Sequence, residues 1–281
     1  MAGTLYVVAT PLGNLDDLSP RAAATLCRVK TVAAEDTRRT KTLMVHVGST
    51  ADLISFHAHS SDAALQRILH LLGTGKDVAL VTDAGTPTVS DPGAMLVAAA
   101  RARDVQVVTV PGPTAVAAAL SVSGISADRY MFLGFLPRKG TDRRRLLEMV
   151  AKSEWTVVLF EAPNRVAELL SDLATACGGE RRAAVARELT KIFEETRAGT
   201  LAELAGYYAE APPRGEVTVV VTGSDRPVAE ERAPDPEERA RTLLAQGMTR
   251  KDVADQIATE TGITRNTAYR LVNELGVHED G

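Results

Sequence analysis

Val78-Ala79-Leu80-Val81-Thr82-Asp83-Ala84-Gly85-Thr86-Pro87-Thr88-Val89-Ser90-Asp91-Pro92-Gly93 is the stretch that decides the fold of this chain. Four apolar residues, Val78 to Val81, run straight into a loop of Gly, Pro, Thr, Ser and Asp. A short apolar run that ends in turn residues reads as a buried strand whose carboxyl end opens into a ligand loop. The loop holds hydroxyls and carboxylates but no Lys or Arg. It suits a ligand that needs backbone contact and carries a positive centre, more than a bare phosphate.

On either side of this strand, strand-like and helix-like segments alternate. Strands are predicted over residues 4–9, 31–35, 53–56, 78–81 and 105–110. Helices are predicted over 20–27, 37–45, 62–72, 92–102 and 113–122. Such alternation argues for βαβ units and a mostly parallel sheet. A hinge over 124–128 opens a second block, with strands at 130–134, 156–160, 183–187, 192–196 and 216–221. Its helices are predicted at 143–151, 164–176 and 201–209. Two adjacent strands without a helix between them, over 183–196, imply antiparallel or mixed pairing. The expectation is an α/β protein of two lobes with a cleft between them: residues 1–123, with a mostly parallel sheet, and residues 124–224, with a mixed one.

Residues 225–239, with three prolines and mixed charge, read as a linker. Residues 240–281 follow as a small helical module. Thr249 caps one helix, carrying Val253 and Ile257; Thr264 caps a second, carrying Ala268, Leu271, Val272 and Leu275. This is a helix-turn-helix pattern, open at this point to nucleic-acid contact or to docking and dimerisation.

Composition narrows the function. The chain has 281 residues, 45% of them apolar, so a sizeable core is expected. Aromatic residues are only 4% and the net charge is −4, so nucleic-acid contact has to come from a local patch. Arg138, Lys139, Arg143, Arg144 and Arg145 supply one. Basic residues at a helix start oppose the helix dipole, and that local cost points to phosphate contact. Cys27 and Cys177 have apolar neighbours and read as reduced, buried thiols. The opening residues lack a basic flank, and no apolar run approaches the ~18 residues of a membrane span. A cytoplasmic protein without membrane contact is expected. His57 and His59 fall on one side of a strand or loop, but a metal site needs further ligands and none is evident, so no metal is expected.

Two common nucleotide loops are excluded. Residues 9–14 are not G-x-G-x-x-G, and Gly75-Lys76 is followed by Asp77 rather than Ser or Thr. Instead three special loops follow strands: Thr10–Asn14, Thr82–Gly93 and Val110–Ala115. Pro111 and Pro113 set the direction of the third, and Thr114 stands at a helix start. Loops at the carboxyl ends of strands in one sheet converge, which predicts a binding cleft.

Thr10-Pro11-Leu12-Gly13-Asn14, Ala34-Glu35-Asp36-Thr37-Arg38, Thr82-Asp83-Ala84-Gly85-Thr86-Pro87, Ser90-Asp91-Pro92-Gly93, Pro111-Gly112-Pro113-Thr114-Ala115, Phe160-Glu161-Ala162-Pro163 and Arg187-Glu188-Leu189-Thr190-Lys191 occur in this order. Together they resemble the ribosomal RNA small subunit methyltransferase I family, a branch of the tetrapyrrole methylase superfamily. The resemblance spans about residues 3–223, and the tail is similar to that family's C-terminal extension. It implies S-adenosyl-L-methionine as methyl donor and 2′-O-methylation of a cytidine in the decoding region of small-subunit rRNA. It also implies a homodimer acting on that rRNA or on the assembled small ribosomal subunit.

Carried onto this sequence, the resemblance implies donor contacts from Pro11, Asp83, Gly85, Thr86, Val89, Ser90, Thr114 and Ala115, with Glu161 and Leu189 from the second lobe. Asp36 becomes the candidate proton acceptor; its other reading is a helix N-cap. Asn14, Glu35, Arg38, His57, Arg138, Lys139, Arg143, Arg144, Arg165 and Lys191 are candidate substrate contacts. Asn164 stands where the family usually has His, and Phe56–Ser60 also departs from its pattern. The rivals are a tetrapyrrole methylase of the same superfamily and a ligand-sensing regulator that binds DNA through residues 240–276.

Overall fold

The computed structural model describes residues 2–57, 60–90, 93–224, 235–261 and 263–275. His59, Asp91, Pro92, most of the predicted linker and residues 276–281 therefore lie outside the described residues. The chain divides into two compact units, Met1–Gly223 and Ser224–Gly281.

The first unit begins with β1 (Thr4–Val8), α1 (Pro20–Arg28), β2 (Thr31–Ala34), α2 (Thr37–Val47), β3 (Asp52–Ser55), α3 (Asp62–Gly73), β4 (Val78–Val81), α4 (Ala94–Arg101), β5 (Gln106–Val110) and α5 (Ala115–Ser123). Its five strands form one sheet in the order β3-β2-β4-β1-β5, and every pairing is parallel. Parallel strands need crossovers, and helices then cover both faces. That is why β2 and β4 are buried at all four positions each. Each fully buried Val or Leu contributes about 2 kcal/mol. Leu5, Leu80, Ile68 and Leu72 pack on one face of the sheet; Val8, Val32, Leu26 and Met44 pack on the other.

The second half of this unit holds β6 (Tyr130–Phe135), α6 (Thr141–Lys152), β7 (Thr156–Glu161), α7 (Val166–Cys177), β8 (Arg182–Arg187), β9 (Glu195–Thr200), α8 (Leu201–Glu210) and β10 (Val217–Val221). They form a mixed sheet, β6-β7-β10-β8-β9. β6 runs parallel to β7, whereas β10 pairs antiparallel with β7 and β8, and β8 with β9. Helices α6, α7 and α8 cover one face through Leu147, Leu169, Leu173, Leu204 and Tyr208. The other face is covered by α5, through Val116, Ala119 and Leu120. Small residues let α5 approach this sheet closely, so the helix that follows the first sheet in sequence packs against the second.

The two sheets are joined at short range. Asn14 donates its backbone N–H to Thr190 Oγ1 at 3.2 Å. A Cβ on Gly13 would come within 2.3 Å of Lys191 Cγ, so the loop after β1 approaches the β8–β9 loop only because residue 13 is glycine.

Four expectations need correction. The strand predicted at 192–196 starts instead at Glu195, because residues 188–194 form a turn with Glu188 and Thr190 at positive φ. Ile192, read as a strand residue, is 94% exposed. Neither thiol is fully buried: Cys177 is half-buried, and Cys27 is exposed and donates to the Val47 carbonyl at 3.0 Å. The helix predicted from residue 143 starts two residues earlier, at Thr141, which turns Arg143 inward.

In the second unit, α9 (Pro236–Ala245) begins inside the predicted linker, capped by Asp235. α10 (Arg250–Thr261) and α11 (Arg265–Leu275) are the predicted helical pair. Ala240, Leu243, Val253, Ile257, Ala268 and Val272 form their shared core.

Candidate active site

The loops after β1, β4 and β5 are tied into one surface. Thr10 and Gly85 exchange both backbone hydrogen bonds, at 2.9 and 3.0 Å. Thr86 donates its hydroxyl to the Pro113 carbonyl at 3.1 Å. Gly85 has φ of +82°, a conformation costly for any residue with a Cβ. A cleft of about 430 Å³ opens beside these loops, within the usual range of small-molecule sites. One wall is Asp83, Gly85, Thr86, Val89, Ser90, Thr114 and Ala115; the other is Phe135, Phe160, Glu161 and the start of β10 at Gly215–Thr218.

Glu161 ends β7 inside this cleft, its side chain 0% exposed. Its Oε1 accepts from the Ala162 N–H at 2.8 Å and pairs with Arg165 Nη1 at 3.3 Å. Its Oε2 has no hydrogen-bond partner among the described residues. A buried carboxylate oxygen left unpaired is costly, so this atom is poised for a polar or cationic ligand group.

Two carboxylates of the cleft lining, Glu35 and Asp83, lie together, and Asp36, which lines neither hollow, adjoins them through its backbone. Glu35 Oε2 accepts from the Thr82 hydroxyl at 2.7 Å and from the Asp83 N–H at 3.4 Å. Asp83 Oδ1 accepts from the Asp36 N–H at 3.0 Å, and Oδ2 lies 3.3 Å from Arg39 Nη1. Burial, then the neighbouring Glu35 charge, holds the Asp83 carboxyl above the usual range, against opposing pulls from the Asp36 amide and Arg39. Asp36 differs. It caps α2 by accepting from the Arg38 N–H at 2.8 Å, and the Arg38 guanidinium grips both its oxygens at 3.1 and 2.7 Å. That side-chain grip drives its carboxyl well below the usual range.

The predicted site residues divide clearly. Asp83, Gly85, Thr86, Val89, Ser90, Thr114, Ala115, Glu161 and Glu35 line the cleft. Pro11 lines a smaller hollow of about 160 Å³ that shares Leu12, Arg39 and Asp83 with it. Leu189 is buried in the core between α5 and the second sheet. Arg38 is 89% exposed apart from its grip on Asp36. Arg165 braces Glu161 and donates to the Leu136 carbonyl at 3.2 Å. Lys191 reaches Glu188 and Glu216, each at 2.9 Å, at the cleft rim. Asn14 caps a 3-10 turn, accepting from the Asp16 N–H. His57 is exposed beyond β3 and takes Ser60 Oγ on its backbone N–H.

The basic segment splits. Arg138, Lys139, Arg144 and Arg145 are exposed. Arg143 is 5% exposed, bonds Asp172 at 2.8 and 2.6 Å, and donates to the Pro137 carbonyl. Its expected substrate contact is corrected: the guanidinium fastens α6 to α7. Arg39, Phe135, Gly215, Val217 and Thr218 were not singled out as site residues by the sequence reading. Arg39 carried a signal, one residue past a motif that ended at Arg38. Among the described residues, no group of three or more His, Cys, Asp or Glu is placed to hold a metal ion, and no helix is long and apolar enough to cross a membrane.

Comparison with known proteins gives this fold and cleft a class. The family model for Tetrapyrrole (Corrin/Porphyrin) Methylases matches residues 4–205. Cobalt precorrin-4 methyltransferase, a cobalamin biosynthetic enzyme, shares the fold with a TM-score of 0.63 at 18% identity, over 78% of this chain and 94% of that one. Uroporphyrin-III C-methyltransferase from Thermus thermophilus, solved in complex with S-adenosyl homocysteine, does so with a TM-score of 0.59 at 17% identity, over 78% and 97%. The architecture is that of a tetrapyrrole-type methyltransferase.

The nearer relatives narrow it. Ribosomal RNA small subunit methyltransferase I of Synechocystis sp. is 45% identical over 97% of this chain and 98% of its own. The protein of that name from Pseudomonas aeruginosa is 45% identical over 96% of each. The chain belongs to the ribosomal RNA small subunit methyltransferase I family.

Proposed function

We propose that this protein transfers a methyl group from S-adenosyl-L-methionine to the ribose 2′-oxygen of a cytidine in the decoding region of small-subunit rRNA. The observation that carries the donor assignment is the unpartnered Oε2 of Glu161, in a cleft whose lining sets Glu35, Asp83, Glu161 and Glu216 against Arg39. Bound there, S-adenosylmethionine supplies an already activated methyl, so the chain's own task is to align, shield and accept a proton. Apolar Phe135, Phe160, Val89 and Ala115 fit the adenine base and the carbon chain of the donor. The Thr86, Ser90 and Thr114 hydroxyls and the Glu161 carboxylate fit its polar ends.

The ribose hydroxyl is a very weak acid and needs a proton acceptor late in transfer. We assign that role to Asp83 rather than Asp36. Asp36 is neutralised by Arg38, which makes it a weak base. Asp83 is held above the usual range and lines both hollows. Its Oδ1 is engaged by the Asp36 amide, so the proton goes to Oδ2, with Arg39 balancing the charge beforehand.

The RNA backbone is assigned to Arg138, Lys139, Arg144 and Arg145. Arg138 lies three residues past Phe135, hence within about 10 Å of the cleft wall along the chain. Lys191 and Arg38 are rim contacts in the same reading, and a homodimer belongs to it. Transfer of labelled methyl to small-subunit rRNA, followed by mapping of the labelled atom, tests this function.

A further inference from the structure

The second sheet carries a hollow that methyl transfer does not use. It has a volume of about 240 Å³ and lies between the end of α8, the β8–β9 edge and the loop into β10. Arg187 and Glu195 face each other across β8 and β9, and the guanidinium places two 2.8 Å contacts on Glu195 Oε2. Arg197 lies flat over the Tyr207 ring at 3.7 Å and reaches Glu195 Oε1 at 3.5 Å. Arg214 closes the far side. Two guanidiniums, Arg187 and Arg214, line the hollow against the one carboxylate of Glu195 and leave it positive.

Tyr208 lies at its floor. It is 2% exposed, and its hydroxyl has no hydrogen-bond partner among the described residues. An unpaired buried hydroxyl costs roughly 1–3 kcal/mol, so an acceptor from outside would satisfy it. Burial, then the Glu195 charge, pushes its hydroxyl up to about 12, so it stays a donor at any physiological pH. Arg214 precedes Gly215 and Glu216, which line the donor cleft. Two residues of chain span at most about 7 Å, so one strand of substrate can reach both places.

We propose that this hollow is a subsite for a nucleotide of the RNA strand flanking the methylated residue. It takes the phosphate on Arg187 and Arg214, and a ribose or base oxygen on the Tyr208 hydroxyl. The subsite rests on RNA being the substrate. Free anions share part of this chemistry, so the test separates them.

The full-length protein is titrated against a labelled single-stranded RNA of decoding-region sequence, by fluorescence anisotropy. Inorganic phosphate and cytidine monophosphate serve as competitors, and S-adenosyl homocysteine binding is measured in parallel by calorimetry. Tyr208→Phe keeps the ring and removes only the donor. It weakens RNA binding about tenfold, the worth of one hydrogen bond, and leaves S-adenosyl homocysteine affinity unchanged. Arg214→Glu weakens RNA further, and cytidine monophosphate competes better than phosphate. Wild-type RNA affinity in both variants overturns the subsite, as does absence of RNA binding by the wild type. Phosphate competing as well as the nucleotide reduces it to an anion site and overturns it too. Failure of the wild type to bind S-adenosyl homocysteine is a separate result, which strikes the donor assignment and not the subsite.

Discussion

Arg165 Nη1 stands 3.3 Å from Glu161 Oε1, yet the other oxygen of that buried carboxylate has no hydrogen-bond partner among the described residues. Half of the group is braced by protein and half is left unpaired in a residue that lines the cleft. Glu161→Gln keeps the shape and removes the charge. It should weaken S-adenosyl homocysteine binding by about tenfold or more in calorimetry, because hydrogen bonds to charged groups are worth roughly 1.5–3 kcal/mol. Arg165→Ala strands the carboxylate and should destabilise the fold by about 3 kcal/mol in denaturant melts.

Asp83 and Asp36 should separate kinetically. Asp83→Asn is expected to lower kcat about 100-fold or more while the donor Kd changes little. The acid limb of the wild-type rate profile should sit above the ordinary aspartate range, since Asp83 is raised by burial. Asp36→Asn should act on stability. A carboxyl held low in the folded state stabilises it above the unfolded pKa, and that contribution is lost as pH falls through the folded value. The gap in Tm between wild type and Asp36→Asn should therefore be full at pH 7 and shrink below about pH 4.

Gly134 has φ of +61° at a bulge in β6, and a Cβ there would come within 2.8 Å of Ser90 Oγ. Gly134→Ala should cost about 1–2 kcal/mol in backbone strain and displace the Ser90 loop. Thermal melts should register the first effect and weaker S-adenosyl homocysteine binding the second.

These positions also mark what the sequence made legible. β4 was readable to the residue, because a strand buried on both faces is apolar throughout and the loop after it is full of turn formers. The convergence of three loops followed from parallel topology. The residues of the first wall were singled out by the family motifs, as was Glu161 on the second. The rest of the opposite wall was harder to read, since Gly215–Thr218 is brought in by antiparallel β10, and strand order across a mixed sheet leaves no local signal. Arg143 was misread because charge density does not tell which turn of a helix faces inward, and Asp172 lies 29 residues away. Apolar Ile192 and Phe193 resembled a strand, but they form an exposed turn set by positive φ at Glu188 and Thr190.

Tyr208 makes stability sensitive to alkali. The hydroxyl is pushed up to about 12 in the folded chain and titrates near 10 when unfolded. Between those values the unfolded state alone releases the proton, so stability is full below pH 10 and falls as pH rises through 12. The loss should reach roughly 2–3 kcal/mol at that site. Tyr208→Phe should flatten this limb of a Tm-against-pH curve.

The most direct measurement is methyl transfer itself. Purified protein is incubated with labelled S-adenosylmethionine and either small-subunit rRNA or small ribosomal subunits, and the labelled nucleotide is mapped by nuclease digestion and mass spectrometry. One labelled cytidine carrying the methyl on its ribose 2′-oxygen is expected, with the label lost in Asp83→Asn. Label on a base, or on a tetrapyrrole offered in the same assay and not on RNA, would contradict it.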